Sequence, residues 1–158
     1  MASKAAGVRE TDTQFWKDFP AMVDYFSPAI QPLLDYLGLS SKQVMHEMGE
    51  MVGRGAAERL SRMTPKQMLE EFAKVWERYQ IGTLSVEKTD PLVLQLSDCR
   101  VCGQMQGTGG LYECAFHEGF FQGALSGKLG RPVTLRQETN FAGEAGTWCR
   151  RLTADASL

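Results

Sequence analysis

At Gln80 the hydrophobic rhythm of this chain changes, and that change constrains the fold more than any other feature. Before it, apolar residues recur at steps of three and four. Phe15, Trp16, Phe19, Met22, Val23 and Phe26 form one such run, and Ile30, Leu33, Leu34 and Leu37 a second. Met45, Met48, Val52, Ala56 and Leu60 form a third, and Met68, Leu69, Phe72, Val75, Trp76 and Tyr79 a fourth. That spacing keeps apolar groups on one side of a helix. After Gln80 the period falls to two: Leu84 and Val86 alternate with polar residues, then Leu92, Leu94 and Leu96. Alternation is the mark of a half-buried strand. Helices first and mixed elements afterwards predict an α+β fold, a helical half packed on a small, mostly antiparallel sheet.

The punctuation agrees with the rhythm. Ser27-Pro28 and Thr64-Pro65 each pair a capping hydroxyl with a first-turn proline, Ser40 or Ser41 caps a helix to about Met63, and Gly38 ends the helix before it. Pro20 opens a second helical piece inside the first run, and Asp90-Pro91 is the turn between two strands. A glycine-rich loop, Gly103 to Gly110, precedes a helix from about Leu111 to Lys128 that stops at Gly130. Val133 and Leu135 mark a strand, Phe141 to Gly146 a turn, and Thr147 to Leu152 the last strand. Residues 1–10 and 153–158 read as disordered, leaving residues 11–152 as one domain.

The chain has 158 residues, with 43% hydrophobic and 23% charged, enough for a core without staples. A net charge of −2 and a pI near 5.7 supply no field for a nucleic-acid backbone. No apolar stretch approaches the roughly 20 residues of a membrane span, and no signal peptide opens the chain, so a cytoplasmic setting is expected.

Glycines interrupt two of the helices. Gly49, Gly53 and Gly55 lie in one, where each costs about 1 kcal/mol relative to alanine, so a backbone or a ligand should come close. Gly119, Gly123 and Gly127 repeat at steps of four in the other, beside Phe116 and Phe120, a stripe suited to helix packing. Five methionines between Met45 and Met68, with Phe72 and Trp76, would suit an adaptable apolar pocket. Met48, Met51, Met68, Phe72, Trp76, Phe116 and Phe120 are the candidate lining; ordinary core packing is the alternative.

All four cysteines, Cys99, Cys102, Cys114 and Cys149, fall within 51 residues. In a reducing compartment clustered thiols point to metal or redox chemistry rather than disulfides. Cys99-x-x-Cys102 is a common half-site, and tetrahedral zinc takes four such ligands. An iron–sulfur cluster uses four thiolates as well, a redox pair is a further reading, and thiols can simply be buried as small apolar groups. His117 stands one turn from Cys114 but is expected on the helix surface, and His46 is expected to be exposed.

Cys114-x-x-x-x-Gly119-x-x-x-Gly123, the Gly130-Arg131 turn, Glu138 and Cys149 resemble the 4-vinyl reductase domain family from about Asp98 to Leu152. The resemblance implies a fold shared with vesicle-tethering TRAPP subunits, homodimers formed through helices, and a zinc held by Cys114, Glu138 and Cys149. A third family cysteine would stand at Phe141, so Cys99 and Cys102 are the thiols to complete a metal-pinned site. The function implied is binding of a small hydrophobic or aromatic molecule. Two alternatives accompany it: enzyme or accessory protein in tetrapyrrole vinyl-group reduction, and a TRAPP-like assembly subunit with a lipid slot. No nicotinamide or flavin fingerprint and no catalytic triad or paired carboxylates support an enzyme.

Overall fold

The computed structural model describes residues 32–98, 111–142 and 148–158, with side chains for all but 41, 111–114, 138–142 and 148–150. The helix expected from Thr11, with Cys99 and Cys102, lies outside them. After a helical stretch at 32–36 come α1 (Ser41–Arg59), α2 (Pro65–Arg78), β1 (Thr83–Thr89), β2 (Leu92–Ser97), α3 (Leu111–Leu129), β3 (Leu135–Ala142) and β4 (Trp148–Ala154). The fold is α+β, as the change of period predicts.

The helix starts follow the capping residues. The hydroxyl of Ser40 accepts from the backbone N–H of Gln43, and Thr64 forms a reciprocal capping box with Gln67 ahead of Pro65. Gly38 and Gly130 both have left-handed backbone, with φ of 68° and 64°, where the preceding helices end. At the C-terminal end of α1 the carbonyls of Leu60 and Ser61 accept from Lys128 Nζ of α3, at 2.8 and 2.9 Å.

The four strands run in the order β1-β2-β4-β3, every neighbouring pair antiparallel. Leu84, Leu94, Leu96, Leu152, Leu135 and Ala154 are buried, and the pairings Leu84↔Leu96, Leu94↔Leu152 and Leu135↔Ala154 put them on one face. On the opposite face Arg151 pairs with Glu87 across the width of β2. Helix α3 runs back along β3: Gln122 Oε1 accepts from the Leu135 N–H at 3.2 Å, and Ser126 Oγ from that of Val133 at 3.0 Å.

Two expectations need correction. The fold does not end at Leu152: β4 runs to Ala154, Ala156 is buried, and the last residues are tied down. Leu92 N–H donates to the Ala156 carbonyl, Leu158 N–H to that of Thr89, and Thr134 N–H to Asp155 Oδ1. Nor is His117 on a helix surface. It is only 4% exposed, because α3 is buried nearly all round between α1, α2 and the sheet.

Helices α1 and α3 meet backbone to backbone. A Cβ added at Gly49 would overlap the carbonyl of Phe116, and one at Gly53 that of Phe120. Reciprocally, a Cβ at Gly119 would overlap the carbonyl of His46, and one at Gly123 that of Glu50. Contacts advance in the same direction along both helices, so the pair is parallel. Small residues on both sides let the axes approach until Cα–H groups face carbonyl oxygens. Among the described residues no helix is long and apolar enough to cross a membrane.

Candidate functional site

The amphipathic pattern of α2 turns Met68, Leu69, Phe72 and Trp76 inward. They meet Phe116, His117, Phe120 and Phe121, which α3 presents on consecutive turns. Phe72 stands 5.0 Å from Phe120 edge-on, and Trp76 lies 5.2 Å from Phe120 and 5.5 Å from Phe121, ring centre to ring centre. His117 closes the cluster 5.9 Å from Trp76 and 6.1 Å from Phe116. Trp76 Nε1 and His117 Nε2 are both buried, which sets two polar ring atoms inside an otherwise apolar wall. The rings fill one another's spaces, so a guest must enter beside or between them.

Of the candidate lining residues, Met68, Phe72, Trp76, Phe116 and Phe120 come together in this buried region. Met48 and Met51 do not: they are 47% and 75% exposed on the side of α1 away from α3. His117 and Phe121 also belong to the cluster, beyond the lining that the methionine and aromatic pattern predicts. The signal for them was the lack of any wide polar face along Ala115 to Leu125. A separate groove of about 190 Å3 lies between α2 and β1, lined by Leu69, Ala73, Leu84 and Val86 with Lys66, Glu70 and Thr89 at its rim. It is smaller than the roughly 300 Å3 at which small-molecule pockets begin.

A half-buried polar network borders the α1–α3 contact. Arg54 Nη2 donates to Glu50 Oε1 at 2.5 Å, and Gln122 Nε2 donates to Glu50 Oε2 at 3.4 Å. The Arg54 hydrogen bond holds the Glu50 carboxyl below the ordinary glutamate value, against burial, which raises it. The Arg54 charge, the Gln122 hydrogen bond and the charge of His46 add to the lowering.

Of the four cysteines, Cys114 lies in α3 and Cys149 in β4, while Cys99 and Cys102 lie outside the described residues. Among the described residues no group of three or more His, Cys, Asp or Glu could hold a metal ion. Cys149 pairs with Phe141 across β3 and β4, and Glu138 with Arg151. Leu96 pairs with Arg150, and β2 ends at Ser97, two residues before Cys99. The end of β2, the end of β3 and the start of β4 therefore share one end of the sheet. Because α3 runs antiparallel to β3, its first turn, which holds Cys114, is directed to that same end.

A helical layer on a four-stranded antiparallel sheet, with one helix buried in the centre, is a fold found in known proteins. The chain has the fold of the vinyl-4-reductase family: it aligns with a family member from Methanocaldococcus jannaschii at a TM-score of 0.50, with 12% identity, over 95% of this chain and 98% of that one. It also aligns with the phenol-responsive sensory domain of the transcription activator PoxR, in complex with phenol, at a TM-score of 0.56, with 19% identity, over 88% and 73% of the two chains. In sequence it is 30% identical over 118 residues to an uncharacterized protein of Methanocaldococcus jannaschii. That match takes in 73% of this chain, and the chain spans 65% of the length of that relative. No family model matches the chain.

Proposed function

We propose that this chain is a small-molecule-binding domain of the vinyl-4-reductase type, whose guest is a small aromatic or hydrophobic compound held against Trp76 and His117. The observation that carries the reading is the aromatic cluster itself. Apolar walls with a few inward polar atoms are what such guests require. The likeness to a phenol-responsive sensory domain supports the same class of ligand. A ring guest would stack on Phe72, Phe116 or Phe120, and a hydroxyl on it would reach the ring nitrogens of Trp76 or His117.

In the same reading a structural zinc pins the sheet end shared by β2, β3, β4 and the first turn of α3, where the four thiols would meet. Cys99, Cys102, Cys114 and Cys149 supply its ligands, with Glu138 as a further ligand or a hydrogen-bonding neighbour. Four thiols suit zinc, and they suit an iron–sulfur cluster as the alternative occupant. The homodimer implied by the resemblance is checked by sizing the purified chain.

The test is titration of the purified chain with phenol and substituted phenols. A ligand at 100 times its Kd adds about 2.7 kcal/mol to the folded state, which raises Tm by roughly 5–10 °C. Quenching of tryptophan emission should accompany it and disappear in Trp76→Phe. If neither phenols nor larger aromatics shift Tm or emission, the binding role is wrong.

A further inference from the structure

Helix α1 has two unlike faces. One, through Gly49, Gly53 and Ala57, lies against α3. Half a turn around, Val44, Met48, Met51 and Gly55 follow at steps of four, three and four residues, the cadence of a helical stripe. Met48 and Met51 are exposed there, and a Cβ added at Gly55 would meet nothing within 4 Å. Glycine is among the poorest residues for a helix interior. The approach of α3 accounts for Gly49 and Gly53, whereas no described part of the chain accounts for Gly55. Immediately ahead of α1, Leu33, Leu37 and Leu39 are also exposed, at 56%, 57% and 49%, and they extend the apolar surface.

The chain carries a segment that matches this face. Phe15, Phe19, Met22 and Phe26 follow at the same steps of four, three and four residues, with Trp16 and Val23 beside them. Each stripe spans twelve residues, about 17 Å from first to last as a helix. The two are complementary in bulk: aromatic rings on one, and valine, flexible methionines and a glycine on the other. Residues 27–31 are all that separates the segment from the helical stretch at 32–36, a tether short enough to give a high effective concentration. We propose that the chain's own segment 11–26 docks on the outer face of α1, so that α1 is packed between α3 on one side and this segment on the other. The matching cadence and the short tether favour it over a second copy of the chain as occupant. Seated antiparallel, the segment would set Phe15 over Gly55, where an added side chain would be in the way.

Hydrogen–deuterium exchange on the full chain tests this. Amides of residues 15–26 should be protected at least roughly tenfold over an unstructured chain. The double substitution Met48→Glu/Met51→Glu should abolish that protection while amides of residues 116–125 keep theirs, showing that the α3 core is intact. Segment amides that exchange at the same rate in both proteins would overturn the proposal. So would protection that grows with protein concentration, which would assign the face to a second copy. Gly55→Leu gives an independent reading: a lowered Tm supports the docked segment, and a raised Tm shows the face to be empty.

Discussion

Gly53 shows how much one hydrogen atom can decide. Its backbone meets the Phe120 carbonyl of α3, a fixed part of another helix that cannot rotate aside as a side chain does. Added bulk in a packed interior costs about 1–3 kcal/mol, and a rigid neighbour places Gly53→Ala at the upper end or beyond. Gly127 is the comparison, since its added Cβ would meet the methyl of Ala57 at 3.3 Å and the Arg54 backbone only at an ordinary 3.8 Å. Gly127→Ala should therefore be nearly neutral by urea denaturation, and equal costs at the two positions would contradict the backbone contact. Glu50 carries a second residue-scale expectation. Its folded pKa is depressed, chiefly by the Arg54 hydrogen bond, so the stabilisation is complete above the unfolded value of about 4.3. It is lost as pH falls through the lower folded value. Glu50→Gln should flatten the fall in the urea midpoint below about pH 4.3, and an unchanged acid limb would show that this carboxyl does not contribute.

At the scale of elements, local signals and distant ones fared differently. The starts of α1 and α2 could be read from Ser40 and from Thr64-Pro65 because a cap is a contact between residues three apart. The close approach on Gly49 and Gly53 could be read as well, since glycine in a helix is costly without a reason. That their partner is α3, in parallel, could not, because the pairing joins segments some 70 residues apart. His117 is buried, although a helix histidine is by default a surface residue. Its burial comes with Trp76 of α2 beside it, which helical periodicity within α3 does not record. Residues 153–158 read in sequence as a disordered terminus, yet their backbone does the anchoring. Deleting residues 155–158 removes three backbone hydrogen bonds, Leu92 N–H to the Ala156 carbonyl, Leu158 N–H to that of Thr89 and Asp155 N–H to that of Thr134, and the buried Ala156. At about 1 kcal/mol for each bond the loss should be roughly 3 kcal/mol, measured as a lower urea midpoint. A truncated chain as stable as the full one would mean that these contacts add nothing.

For the whole molecule the open question is what holds the sheet end together. Three strand ends and the first turn of α3 converge there from four parts of the chain, with a cysteine in or just beyond three of these elements. The register is informative about Phe141. It stands directly across the ladder from Cys149, so the position the resemblance gives to a third cysteine is held here by a residue that offers no metal ligand. On the proposed zinc reading the missing ligand is drawn from Cys99 and Cys102, which follow β2 in the sequence. A structural metal adds its binding free energy to folding, so losing a ligand should remove metal and lower Tm together. Elemental analysis of chain purified without added metal should give about one zinc per chain, and Cys102→Ser and Cys149→Ser should lose it and melt early. Glu138→Gln should be milder, because β3 sets Glu138 opposite Arg151 and three residues short of the Phe141–Cys149 pair. A brown protein would replace zinc with an iron–sulfur cluster. Four freely titrating thiols in a metal-free, fully stable chain would leave the convergence to hydrophobic packing alone.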